Sequence, residues 1–239
     1  MPFSETEALM PVVRRFLCLA NSRKLSGRCV AGRETDPNTK SWIRPVSDRP
    51  HQEVSERERQ YKDGSDIKVL DIIDVPLIRA HPSSYQSENW LLDPGYYWAL
   101  QGRASWDELF DFRDEPAQLW PNDSSTFSGL NDRVALTDAQ SLANSLFLLY
   151  IENLSLRVFA PGEAFGNPKR RVQAIFCYNS VNYWLWVTDP LIERKYLAGE
   201  DGDYAVGECF ITVSLGEPHE GFCYKLVATI ITPNYAGTR

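Results

Sequence analysis

The stretch RRVQAIFCYNSVNYWLWVTDP, residues 170–190, indicates the fold class of this 239-residue chain. Apolar and polar residues alternate on both sides of Asn179-Ser180, and a period of two is typical of strands that bury one face. A short polar turn between two such runs predicts antiparallel strands joined in a hairpin. The stretch therefore favours an antiparallel β fold over a parallel α/β sheet.

Similar patterns extend outward in both directions along the chain. Strands are predicted at 14–21, 67–78 and 145–161, and hairpins at 28–46 and 208–233. The part between 81 and 125 is irregular, apart from one short predicted helix at SWDELFDF, where Ser105 and Glu108 have the spacing of a capping box. These elements predict an all-β fold with few short helices, built as two small barrels at residues 12–140 and 141–235.

Composition indicates an ordinary globular protein, with 43% hydrophobic and 24% charged residues and a net charge of −7. The segment MPFSETEALMPVV at residues 1–13 carries acids where a signal peptide needs positive charge. No apolar run approaches the roughly 18 residues of a membrane helix. We expect a cytoplasmic protein without a membrane partner.

Common enzyme signatures do not occur in the sequence. There is no phosphate-binding loop, no GxSxG elbow and no HExxH motif. The five cysteines form no CxxC pair and the three histidines are dispersed, which favours buried thiols and predicts neither a metal nor a cofactor. We expect no catalytic activity, with one alternative kept open: a hydrolase in which Asp189, Glu193 and Lys225 converge across turns.

Charge is unevenly distributed along the chain. Residues 14–49 hold nine Lys or Arg against three acids, whereas residues 66–140 hold five basic and thirteen acidic residues. A basic beginning inside an acidic protein predicts either a binding patch or internal ion pairs.

The binding hypothesis places cations and an aromatic ring on one open strand face, because alternate residues of a strand share a face. Arg44 lies two residues from Trp42, and small residues nearby would let a ligand backbone approach. Cations for phosphates and flat rings for bases are what single-stranded nucleic acid, or a nucleotide-containing ligand, requires. The predicted contacts are Arg23, Lys24, Arg28, Trp42, Arg44 and Lys225.

Two other interpretations of the same residues stay open. The arginines could form salt bridges with the acidic middle segment, for example with Asp107, Asp111 or Asp114. Alternatively, the barrels could act as a scaffold or sensor subunit that docks an effector protein. The basic run KRR at 169–171 is interpreted as a solvated strand edge.

Several segments taken together resemble a known family. NSRK…GRCVAG followed by WIRPVS, then ENWLL, VTDPLIE and ITVSLGEP…CYKLVA, is similar to the bacterial dual OB-fold domain proteins, in order over about residues 13–232. The resemblance implies two OB-like barrels in tandem. It also implies a nucleic-acid-binding or sensing role in bacterial defence and other genomic conflict systems.

Overall fold

The computed structural model describes residues 12–235, whose strands form two six-stranded sheets. The strands of the first sheet are β1 (Val12–Lys24), β2 (Gly27–Glu34), β3 (Trp42–Val46), β4 (Asp71–Ala80), β5 (Asn89–Leu92) and β6 (Ala99–Arg103). Those of the second are β7 (Arg133–Ala135), β8 (Leu146–Phe159), β9 (Arg171–Tyr178), β10 (Val181–Val187), β11 (Gly202–His219) and β12 (Phe222–Ile231). Residues 12–235 also form the α-helices α1 (Leu136–Ala139) and α2 (Pro190–Leu197) and 3-10 turns at Arg57–Arg59, Asp107–Asp111 and Glu163–Phe165.

Each sheet closes into a barrel with the same topology. In the first, the order is β1-β2-β3-β5-β4, and β4 pairs back with β1. In the second, the order is β8-β9-β10-β12-β11, and β11 pairs back with β8. The β3–β5 and β10–β12 pairs are parallel, and the other pairs are antiparallel. Both are five-stranded Greek-key barrels of the OB type, which confirms the predicted fold class.

The hairpin at 170–190 forms as predicted, from β9 and β10. Asn179 and Ser180 have φ values of 47° and 65°, and a two-residue hairpin turn with both central residues at positive φ matches the twist of its strands. The pairing Val181↔Tyr178 sets the register. With that register, β9 turns Val172 and Phe176 into the core of the second barrel.

Smaller elements depart from the predictions in detail. The helix predicted near Ser105 is a 3-10 turn, in which Glu108 accepts hydrogen bonds from the Ser105 amide at 2.7 Å and hydroxyl at 2.8 Å. Strand β7 pairs with β12, so the second sheet begins before residue 140. Within residues 12–235, no helix is long and apolar enough to cross a membrane.

The thiol prediction holds for three of the five cysteines. Cys18, Cys209 and Cys223 are buried, and Cys29 is half-buried. Cys177 is exposed, so the prediction of a buried thiol is wrong there. On β9 its neighbour Phe176 faces the barrel core, and alternation turns Cys177 outward.

The two barrels pack directly on one another through β1, which is buried on both faces. Phe16 and Cys18 belong to the core of the first barrel. The intervening residues Leu17 and Leu19 face the second barrel, where they join a cluster with Leu148, Phe210 and Ile231. The Thr212 hydroxyl on β11 donates to the Leu19 carbonyl at 2.7 Å. Strand β1 is therefore a shared wall between the barrels.

Small residues on β1 and β2 allow this close approach. Ala20 and Ala31 pack against Leu146 and Ala228 of the second barrel, whereas Val30 lies in the first barrel's core. Neighbouring residues of β2 therefore face opposite barrels, and Ala31 packs against the second barrel rather than into the first barrel's core. The strand face that was expected to be open is covered by the second barrel.

Candidate ligand-binding groove

Arg44 lies in a buried polar cluster rather than on an open surface. Its guanidinium Nη2 is 2.8 Å from Glu88 Oε1 and donates to Ser145 Oγ at 2.8 Å. Ser145 Oγ also donates to Glu88. The side chains of Arg44 and Glu88 are only 5% and 4% exposed. The cluster joins β3 to the start of β8, so we assign Arg44 a structural role.

Trp42 lies at the edge of the interface between the barrels. It packs against both inter-barrel clusters, and its indole Nε1 donates to Asp114 Oδ2 at 3.3 Å. The Arg33 guanidinium lies 5.7 Å from the centre of the Trp42 ring and 2.6 Å from Asp114 Oδ1. Protein groups therefore already occupy the ring's surroundings, which argues against Trp42 as a platform for bases.

Internal pairing accounts for most of the basic beginning of the chain. Seven of the nine Lys and Arg residues in 14–49 form ion pairs, namely Arg14, Arg15, Arg23, Lys24, Arg33, Arg44 and Arg49. Of the acids named beforehand, Asp114 is one partner, and the main-chain carbonyl of Asp111 accepts from Lys40 Nζ at 2.8 Å. Asp107 forms no ion pair with a described residue.

Arg23 and Lys24 tie the two barrels together at the end of β1. Arg23 pairs with Glu193 on α2 at 2.9 Å, and its amide donates to the Thr188 carbonyl at 2.8 Å. Lys24 pairs with Glu217 on β11 at 2.7 Å. The Arg23 side chain remains 47% exposed, so it can still contact a ligand beside the second barrel.

The residues of the hydrolase alternative have three separate sets of partners. Asp189 caps α2, accepting from the Leu191 amide at 2.9 Å, and burial raises the pKa of its carboxyl. Glu193 is held by Arg23. Lys225 Nζ donates to the Pro121 carbonyl at 2.8 Å. No hydrogen bond or ion pair links the three side chains to each other.

Lys225 lies inside the second barrel and is 1% exposed. Besides the Pro121 carbonyl, its ammonium donates to Asn122 Oδ1 at 2.8 Å, and it lies 5.4 Å from the centre of the Tyr183 ring. Burial lowers the pKa of this ammonium to about 7, against the attraction of Asp132 and Asp123. Lys225 therefore fastens the segment at 121–122 onto the barrel and is inaccessible to a phosphate.

Lys225 should make stability depend on pH. In the unfolded chain a lysine has an ordinary pKa near 10.4, so between pH 7 and 10 the unfolded state binds the proton more strongly. The free energy of unfolding then rises with pH. From pH 6.5 to 8 we expect Lys225 to contribute a rise of about 1 kcal/mol, measured as the difference between the parent and Lys225→Met in urea titrations. The exposed Lys195→Met control should keep the parent's pH dependence, and equal slopes in parent and Lys225→Met would contradict this assignment.

An open groove of about 980 Å³ runs across the second barrel. Its floor is formed by outward side chains of β9, β10 and β12, and one wall is the β8–β9 connection at 160–170. Arg23 reaches its edge from the first barrel. We call this surface the second-barrel groove. Its lining includes Arg23, Phe127, Lys169, Arg171, Trp186 and Tyr224.

Arg171 is a half-buried cation in the second-barrel groove. Its guanidinium stacks 3.9 Å from the centre of the Trp186 ring, and Trp186 is stacked in turn on Phe159. Burial lowers the pKa of Arg171 and the nearby positive charge of Arg23 lowers it further, against the attraction of Glu193. Among residues 12–235, neither Arg171 nor Lys169 forms an ion pair with a carboxylate. Because an arginine stays charged, an anion in the groove would relieve this imbalance.

Aromatic rings accompany these cations. The Phe127 side chain is 93% exposed and Phe165 is 79% exposed, and their ring centres are 6.4 Å apart in an edge-to-face arrangement. Tyr224 on β12 lines the same groove and is half-buried. Large apolar rings left in water on a groove wall are typical of binding surfaces. The groove therefore offers flat apolar faces next to unpaired positive charge.

The sequence interpretation missed this site. The sequence predicts a solvated strand edge for KRR at 169–171, but Arg171 is half-buried in the groove. A usable signal existed, since KRR precedes the hairpin strand whose partner carries Trp184 and Trp186. Phe127 gave no signal, because its exposure depends on how the segment around it docks onto the barrel.

Two closed OB barrels that share a wall define a tandem OB-fold protein. A family model described as the dual OB-containing domain matches residues 14–230. The chain therefore belongs to the dual OB-containing domain family, as its resemblance to dual OB-fold proteins indicated. Comparison with curated proteins and with solved structures found no match.

Proposed function

We propose that the protein is a non-enzymatic module that binds single-stranded nucleic acid in the second-barrel groove. The observation that carries this proposal is Arg171, a half-buried cation without a carboxylate partner among residues 12–235, held over Trp186 in an open groove. A smaller nucleotide-containing ligand would use the same groups. A protein in bacterial defence, as the family resemblance implies, would use such a module to sense nucleic acid.

The position of the groove on its barrel supports this proposal. In OB folds the second and third strands, with the loops that flank them, form the usual surface for oligonucleotides. In the second barrel these strands are β9 and β10, and the groove lies over them. In the first barrel they are β2 and β3, whose outer side chains Ala31 and Arg44 are buried toward the second barrel.

The groups in the groove suit the two parts of a nucleotide. Arg171, Lys169 and Arg23 would contact phosphates, and guanidinium groups suit this because their planar fork matches phosphate oxygens. Phe127 and Tyr224 would stack on bases, an interaction that tolerates any sequence. Binding without strong sequence preference but with strong salt dependence is the expected behaviour.

Docking of an effector protein is a second candidate function for this surface. Its specific support is the exposed Phe127–Phe165 pair, because exposed apolar patches also mark protein interfaces. It predicts that oligonucleotides bind weakly or not at all.

The test is a fluorescence-anisotropy titration with short single-stranded DNA and RNA from about 50 to 300 mM salt. The logarithm of the affinity should fall linearly with the logarithm of salt concentration. Arg171→Gln should weaken binding by about tenfold and reduce the salt slope by about 1, because one phosphate contact is lost.

A matched control is Arg79→Gln, which removes an exposed arginine from β4 of the first barrel. It should bind like the parent, and circular dichroism should confirm that both variants are folded. Flat anisotropy at the lowest salt concentration would overturn nucleic-acid binding and favour the effector candidate. Equal binding by Arg171→Gln and the parent would overturn the groove assignment.

A further inference from the structure

A second cluster of unpaired cations lies where the barrels meet, outside the second-barrel groove. Arg28 on β2, Lys68 before β4 and Arg194 on α2 line one cavity of about 290 Å³. We call it the junction cavity. Its remaining walls include Thr229 and Tyr235 of the second barrel. Both barrels therefore contribute positive charge to one cavity.

The carboxylates of the junction cavity are already engaged. Asp66 is bound in a bidentate pair by Arg59, at 2.8 and 2.9 Å. Asp189 accepts amide hydrogen bonds from the first turn of α2 and from Ile230 at 3.3 Å. Among residues 12–235, no ion pair involves the three cations of the cavity. The cavity consequently holds uncompensated positive charge.

Arg28 is the most constrained of these cations. Its backbone is fixed by reciprocal hydrogen bonds with Val54 at 2.9 Å. Burial lowers the pKa of its guanidinium, and the positive charges of Arg59 and Arg194 lower it further, with only Asp66 opposing them. Such crowding of like charges is costly unless an anion is bound between them.

We propose that the junction cavity binds a compact phosphate-bearing anion, no larger than a mononucleotide, between Arg28, Lys68 and Arg194. Two guanidinium forks and an ammonium match the oxygens of one phosphate group. The volume of the cavity is near the lower limit of small-molecule sites. Because the cations come from both barrels, the anion would bridge the barrels. This site is independent of nucleic-acid binding in the groove.

The experiment is isothermal titration calorimetry of the full chain with inorganic phosphate and with adenosine monophosphate, at constant ionic strength set by chloride. Arg28→Gln and Arg194→Gln should each weaken binding by about tenfold or more, since each removes a charged hydrogen bond. A short single-stranded DNA forms a third arm. Its binding should be unchanged in both variants if the cavity accepts only a free small anion.

Lys195→Gln is the matched control, because Lys195 neighbours Arg194 on α2 but does not line the cavity. It should bind phosphate like the parent. Arg28→Gln should fold normally, since it removes like-charge repulsion and keeps the backbone pairing with Val54. The proposal is overturned if neither phosphate nor adenosine monophosphate binds. It is also overturned if Arg28→Gln and Arg194→Gln both bind these anions as tightly as Lys195→Gln does. Loss of DNA binding in both cavity variants would instead assign the site to the nucleic-acid backbone.

Discussion

Replacing Glu88 by leucine is expected to lower the free energy of unfolding by about 3–5 kcal/mol. The Arg44 guanidinium pairs with Glu88 at 2.8 Å in a site where both side chains are about 5% exposed or less. Removing the carboxylate leaves a positive charge buried without a counter-ion. Removing one member of a buried ion pair costs more free energy than the intact pair contributes, because the remaining charge is neither hydrated nor paired. Urea unfolding of the parent and Glu88→Leu measures the difference.

The double variant Arg44→Met/Glu88→Leu provides the matched control. The double variant removes both charges. In the parent, Arg44 Nε and Glu88 Oε2 are buried without hydrogen bonds. The native pair therefore leaves part of its hydrogen-bonding capacity unused. We expect the double variant to be more stable than either single variant, with a coupling energy of at least about 2 kcal/mol. A Glu88→Leu cost below about 1 kcal/mol, or additive effects, would contradict a buried structural pair.

Phe127→Ala is expected to weaken binding of single-stranded DNA by about tenfold or more without changing stability. Stacking of an aromatic ring on a base contributes roughly 1–3 kcal/mol. At 93% exposure, Phe127 contributes little to folding, and substitutions at such positions usually change stability by less than about 0.5 kcal/mol. Anisotropy titration and urea unfolding of the same preparation separate the two effects.

Tyr97→Ala is the control for a general loss of exposed aromatic surface. Tyr97 is 60% exposed and lies on the first barrel, after β5. Its loss should leave DNA affinity unchanged. If Phe127→Ala binds single-stranded DNA as tightly as the parent, Phe127 does not stack on bases. That result would not bear on the proposed phosphate contacts at Arg171.

The barrels themselves were predictable from local patterns. Alternation and a two-residue turn at Asn179-Ser180 set the β9–β10 hairpin, because these are properties of neighbouring residues. The shared wall was not predictable in the same way. Leu17 and Leu19 face another barrel rather than solvent, and that depends on contacts with residues such as Phe210, nearly two hundred positions later in the sequence.

The sequence predicts a binding face on the first barrel, and the structure covers most of that face, for the same reason. The residues of β2 and β3 have the chemistry of a binding face, but Arg44 and Ala31 meet the second barrel. The sequence shows a cluster of cations but not their partners, because Glu88, Glu193 and Glu217 lie far from these cations along the chain. Of the six residues first proposed, Arg23 lines the second-barrel groove and Lys24 lies in an ion pair beside it.

Packing of the barrels therefore decides which OB surface remains available. The first barrel's β2–β3 surface supplies the interface, and the second barrel's β9–β10 surface remains open. Arg23 belongs to both surfaces, because it pairs with Glu193 across the interface between the barrels and also lines the groove. Nucleic acid should consequently engage mainly the second barrel.

Photo-crosslinking tests this claim most directly. A short single-stranded oligonucleotide carrying 5-iodouracil is irradiated with the full chain, and crosslinked peptides are identified by mass spectrometry. The account predicts crosslinks at Phe127 and Tyr224, and their loss at high salt. Crosslinks confined to peptides from residues 21–49 of the first barrel would contradict it.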